Sequence, residues 1–118
     1  MNTISFRILR LGTAITFILI GLMILQNPET WDGFVQAWVL KLLPIPLSEI
    51  MLSTGLLDIA IGLFLMFNRY TWIAATIGSF HIIMVLIANG LTDFTVRDIA
   101  ILAGTIAIAL EAWVNNWR

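Results

Sequence analysis

Asp58 and His81 each stand near the middle of a long apolar stretch that holds no other ionisable residue at that level. An acid beside an imidazole can hold a proton or hand it on near neutral pH, as a proton-coupled transporter or a quinone-linked site requires. A carboxylate or imidazole at mid-membrane depth is expensive, which makes such residues functional candidates by default. The competing reading is structural: an Asp–His hydrogen bond that locks two helices together, commonly worth under about 2 kcal/mol in a membrane.

Two further polar groups lie toward the ends of the apolar stretches. Arg10 and Glu111 are expected to form a structural ion pair near one end, with the arginine also able to snorkel to the interface. Arg97, Asp98 and Glu49 are expected to cluster at the other end, with Asp98 favouring the start of a helix.

Other chemistries lack their parts. The chain has no cysteine, so disulfides, thiolate metal sites and redox work on its own sulfur are excluded. A single histidine does not build a zinc site without other ligands or a second copy. There is no glycine-rich phosphate loop, no serine elbow and no HExxH, and His81 alone is the sole argument for haem. The reading therefore assigns no catalytic residue and no metal. The cofactor stays open, with a quinone or lipid as the candidates.

The elements that position Asp58 and His81 are four apolar stretches, at about 8–25, 48–67, 72–88 and 96–114. Each is long enough, at about 1.5 Å per residue, to cross a hydrocarbon core about 30 Å thick. Hydrophobic residues make up 60% of the 118, charged residues 11%, and mean hydropathy is +1.00. A soluble domain of this size cannot hide that much apolar surface. The expected fold is an all-α integral membrane four-helix bundle, a single transmembrane domain over 1–118. The first stretch reads as an uncleaved anchor. Net charge is −1 with no basic run, which leaves nucleic-acid binding without an electrostatic footprint.

Four crossings place Arg7, Arg10, Arg69 and Arg118 on one side and Lys41 and Arg97 on the other, the latter diluted by Glu29, Asp32, Glu49, Asp93 and Asp98. The positive-inside rule then puts both termini in the cytoplasm, in a bacterial-type inner membrane. Asn68-Arg69-Tyr70-Thr71 reads as a tight turn with Thr71 capping the third helix. Asn89-Gly90 reads as a left-handed helix end, and Thr95 with Asp98 as a capping box opening the fourth helix. Between the first two stretches, Pro28 starts a segment at about 28–43 with Trp31, Phe34, Val35, Trp38, Val39 and Leu42 on one face. It is expected to be an amphipathic helix lying in the interface, as an anchor or as a gate.

Small residues indicate which faces meet, because they let membrane helices approach closely. The stripes are Arg10, Ala14, Phe17 and Gly21; Gly55, Asp58 and Gly62; Ala74, Gly78 and His81; and Arg97, Ala100, Gly104, Ala107 and Glu111. On consecutive antiparallel helices Asp58 and His81 then arrive at one level, each about 15 Å from its own helix start.

Several of these stretches together resemble the DoxX-like family of small four-helix bacterial membrane proteins. The likeness spans essentially the whole chain. It is carried by Arg7-Ile8-Leu9-Arg10-Leu11-Gly12 leading to Phe17 and Gly21, by the interfacial stretch after Asn27-Pro28, by a carboxylate before Gly62-Leu63, and by Val96-Arg97-Asp98-Ile99-Ala100-Ile101-Leu102-Ala103-Gly104. Relatives often carry glutamate where this chain has Asp58. The resemblance implies a membrane subunit linked to quinone metabolism or membrane redox defence. Three functional expectations result, in this order: a non-enzymatic membrane subunit or scaffold, forming a homo-oligomer or binding other membrane subunits; an accessory protein that positions a quinone near Asp58 and His81; and a small proton-coupled transporter or channel using the same two residues.

Overall fold

The computed structural model describes residues 3–26, 37–42, 44, 47–90 and 95–115. They form four long helices, α1 (Thr3–Gln26), α2 (Leu47–Met66), α3 (Thr71–Asn89) and α4 (Val96–Asn115), with a single helical turn at Ala37–Leu40. No strand occurs among the described residues. Of the expected interfacial helix, only that turn lies within the described residues; Pro28, Trp31, Phe34 and Val35 lie outside them.

α1 packs most extensively on α2 and α3 on α4, with narrower contacts between α2 and α3 and between α1 and α4. Glycine explains the first pairing. A Cβ on Gly62 would lie 2.8 Å from the Ala14 carbonyl oxygen and 2.5 Å from Ile18 Cγ1. Two backbones touch there, as small residues allow in membrane helix pairs. The α1 stripe is as expected, with Phe6, Arg10, Ala14, Phe17, Gly21 and Ile24 all buried.

α4 differs from expectation. Arg97 and Ala100 are exposed, while Asp98, Thr105, Ile108 and Ala112 are buried. The inward face is one residue round from the small-residue stripe. Gly104 still faces α1, but loosely: a Cβ there would lie 3.5 Å from Leu9 Cδ1, an ordinary contact.

The α2–α3 turn is a Schellman motif closed by asparagine. Asn68 takes φ 53°, Arg69 N–H donates to the Phe64 carbonyl at 2.9 Å, and Asn68 N–H to that of Leu65 at 3.3 Å. Thr71 does not cap α3. The cap position is Tyr70, at φ 50° and with no side-chain cap bond; Thr71 is already helical, and its hydroxyl donates to Asn68 Oδ1. At the far end of α3, Gly90 has φ 72° but ψ −176°, a conformation outside the left-handed helical region and essentially reserved for glycine. Thr95 donates its hydroxyl to the Gly90 carbonyl, and its own carbonyl accepts from Asp98 N–H at 2.9 Å. In place of the expected box, Thr95 ties the end of α3 to the start of α4.

Among the described residues, three helices are long and apolar enough to cross a membrane: Thr3–Gln26, Glu49–Met66 and Thr71–Asn89. α4 carries Arg97, Asp98 and Glu111 and is outside that set. The buried core of Phe6, Phe17, Leu65, Ala75, Ile108 and Ala112 fills the half of the bundle nearest the N-terminus of α1 and the C-terminus of α4. Large apolar side chains cover the outside on every helix, among them Ile8, Leu56, Phe80 and Leu110.

Candidate functional site: a polar cavity in one half of the bundle

The other half of the bundle is hollow where the core is filled. A cavity of about 60 Å³ lies between all four helices, from Asp58 and His81 at mid-length to Ile24, Met51, Asn89 and Asp98 at the helix ends. That volume admits several water-sized groups, since one needs roughly 10–15 Å³ on the same measure. Its walls are mainly apolar, including Phe17, Ile20, Val85 and Ile101, with Thr16, Thr54 and Asn89 as neutral polar groups.

Asp58 and His81 meet as the stripes imply. His81 Nε2 lies 2.9 Å from Asp58 Oδ1. The two are an ion pair in distance, but no hydrogen-bond donor is aligned on Oδ1, which is fully buried. Asp58 is only 3% exposed. The imidazole is the carboxylate's charge partner.

Phe17 forms the floor. It is 2% exposed, and its ring occupies the space left by Gly78, where a Cβ would lie 3.2 Å from Phe17 Cζ. Beyond it the core is packed, and a hydroxyl pair joins α3 to α4: Ser79 Oγ donates to Thr105 Oγ1 at 2.9 Å.

The end cluster expected from Arg97, Asp98 and Glu49 does not assemble. Arg97 and Glu49 are exposed, while Asp98 is 7% exposed and lines the cavity. It shares that chamber with Asp58 and His81. Asp98 is the site residue the stripes misassigned. The signal was present in the spacing Asp98, Ile101, Thr105, Ile108 and Ala112, which marks a second helical face.

Arg10 is likewise turned elsewhere. Its guanidinium donates to the carbonyls of Leu65 at 2.6 Å and Met66 at 3.0 Å, capping the C-terminal turn of α2, and is not directed at Glu111. A cation is favoured at that end of a helix, where carbonyls lack intrahelical partners. Arg10 therefore serves the fold and lies outside the cavity.

Among the described residues no group of three His, Cys, Asp or Glu is placed to hold a metal ion. The arrangement is suited to binding: a small, mostly apolar chamber with an acid–imidazole pair at mid-length and a second acid toward the helix ends. No family model, no curated protein and no solved structure matches the chain.

Proposed function

We propose that this chain is an integral membrane protein that crosses the bilayer four times, with both ends in the cytoplasm, and that it binds a small lipid-soluble molecule without transforming it. The relationship to DoxX-like membrane subunits, and with it a link to quinone or redox metabolism, belongs to the same proposal. Support for the membrane setting comes from the three apolar helices and the apolar exterior. It also comes from aromatic residues gathered at one end, where Trp72 and Trp113 meet edge to face at 4.7 Å near Tyr70. α4 can join the others because Asp98 is turned into the cavity, while Arg97 and Glu111 stand within a turn or so of its ends, within reach of the interface.

The observation that carries the binding role is the Asp58–His81 pair lining a cavity instead of a packed interface. A purely structural pair would be enclosed by core. A proton-coupled transporter is the second reading, favoured by Asp98 standing between the pair and the helix ends; it requires Phe17 to open a path through the plug.

The absence of cysteine gives a clean test. A single cysteine replacing Thr54 is expected to react, in right-side-out vesicles, with a small membrane-impermeant thiol reagent added outside. One placed beside Thr3 or Asn115 is expected to react only from the cytoplasmic face. Failure of Thr54→Cys to react from either face, with the terminal controls reactive, would remove the accessible cavity. In proteoliposomes, loss of a proton-coupled flux in Asp58→Asn would favour transport.

A further inference from the structure

We infer that the outer seam between α2 and α3 holds an anionic phospholipid of the cytoplasmic leaflet, its phosphate on Arg69 and Tyr70 and an acyl chain in the groove beneath them. The site lies outside the interior cavity and rests only on the membrane setting proposed above.

The groove follows from the packing. α2 and α3 touch narrowly, whereas α1 on α2 and α3 on α4 pack extensively. Two adjoining hollows of about 230 and 520 Å³ open along that seam and share Ala60, Phe64 and Tyr70. Both are far roomier than the interior cavity of about 60 Å³. Ile61 and Ala74 form the buried bottom, with Leu57, Phe64 and Ile77 as the exposed rim. From Leu57 to Phe67 the groove extends about 15 Å along α2, at about 1.5 Å per residue. That is half of a hydrocarbon core about 30 Å thick, the depth of one leaflet.

An independent observation supplies the charge. Arg69 lines the groove at its interface end, is exposed, and has no carboxylate within ion-pair distance among the described residues. No acid lines either hollow among those residues. The turn fixes the arginine's place: it lies between Asn68 at φ 53° and Tyr70 at φ 50°, and its N–H donates to the Phe64 carbonyl at 2.9 Å. Tyr70 rests edge to face on Phe64, with ring centroids 6.3 Å apart. A guanidinium and a phenol thus stand at the rim of one hollow, and both can donate to phosphate oxygens. A zwitterionic head brings its own cation, so the uncompensated charge of Arg69 favours a lipid that is negative overall. A second copy fits less well. A two-fold contact over this face would bring two Arg69 side chains to one depth with no acid between them.

The purified full chain in uncharged detergent is offered dioleoyl phosphatidylglycerol and dioleoyl phosphatidylcholine. Bound lipid is counted by native mass spectrometry, alongside the shift in Tm. Phosphatidylglycerol is expected to bind at least fivefold more tightly. Arg69→Gln should lower that preference to less than twofold, and Arg69→Lys should keep most of it. Ala60→Phe, which fills the groove from its exposed side, should weaken phosphatidylglycerol at least fivefold. Arg97→Gln, which removes an exposed cation at the opposite end of the bundle, should leave the preference unchanged. Equal binding of the two lipids would overturn the anionic assignment, as would equal losses in Arg97→Gln and Arg69→Gln. A dimer of the natural chain that retains no lipid and is lost in Ala60→Phe would give the face to a second copy. No retained lipid and no dimer, from a chain that still needs detergent, would overturn the site and leave the membrane setting standing. A chain folded and soluble without detergent would overturn both.

Discussion

Gly21 in α1 and Gly55 in α2 meet backbone to backbone: a Cβ on Gly21 would lie 2.6 Å from the Gly55 carbonyl oxygen. The opposing atom is main chain and cannot rotate aside, so any larger residue must push the two helices apart. Gly62 makes the same kind of contact about two turns nearer the other end, against Ala14 and Ile18. The α1–α2 pair is the rigid wall on which Asp58 is mounted.

Gly21→Ala and Gly62→Ala should therefore each destabilise the bundle, by about 1–3 kcal/mol or more, the usual cost of overpacking. Gly12→Ala, where a Cβ would meet nothing within 4 Å, and Gly104→Ala should be neutral or slightly stabilising. Thermal unfolding of the four variants in detergent checks the contrast. Equal behaviour of Gly62→Ala and Gly12→Ala would contradict the close approach.

Arg10 is the second fixed point of that wall. Arg10→Met keeps much of the side chain's bulk but withdraws the donors from Leu65 and Met66. With bonds to a charged group worth roughly 1.5–3 kcal/mol, the loss should be about 2–3 kcal/mol after partial repair by water. The damage should be local. Amide hydrogen exchange is expected to accelerate at Asn68 and Arg69, whose N–H groups complete the turn on the same carbonyl row, before it changes in α4. Uniform acceleration throughout the bundle would argue against a capping role.

Much of this arrangement was legible in the amino acids, and the exceptions have identifiable causes. The α1, α2 and α3 stripes were readable because small residues, a single acid and a single imidazole fall on one helical face each. α4 misled because alanine is spread around it: Ala100, Ala103, Ala107, Ala109 and Ala112 offer small residues on several faces. Size alone did not choose among them, whereas the acid and threonine at Asp98 and Thr105 did. Arg10 and Glu111 were matched by charge and depth, yet an arginine with five donors can be satisfied by carbonyls at a helix end, which composition does not display. The same limit applies to the caps. Thr71 and Thr95 are the right residue types in the right places, but one residue of register and the course of the backbone decide which oxygen each hydroxyl finds.

Ser79 and Thr105 give a modest, measurable link between α3 and α4. Both are buried, and their hydroxyls are 2.9 Å apart. A double-mutant cycle with Ser79→Ala and Thr105→Val should return a coupling of about 0.6 kcal/mol and under about 2 kcal/mol, since helical carbonyls offer each hydroxyl an alternative acceptor. Ala75 and Leu102 already supply such carbonyls at 2.9 Å. A coupling well above that range would mean that the pair, and not the apolar contacts around it, holds α3 to α4.

The Asp58–His81 pair should show the opposite pattern, a large penalty for removing one member and a smaller one for removing both. His81→Ala leaves a carboxylate that is 3% exposed and facing an apolar chamber without its partner. Breaking a buried pair in this way costs about 3–5 kcal/mol in soluble proteins, most of it the charge left behind. Asp58→Asn combined with His81→Ala removes that charge, so the double variant should be more stable than His81→Ala alone. Water reaching the pair through the cavity would soften the single penalty, placing it toward the lower end of that range. Thermal unfolding of the two single variants and the double variant supplies the comparison. If His81→Ala and the double variant lose equal stability, the acid is already well solvated or neutral without the imidazole, and the pair contributes to neither fold nor binding as described.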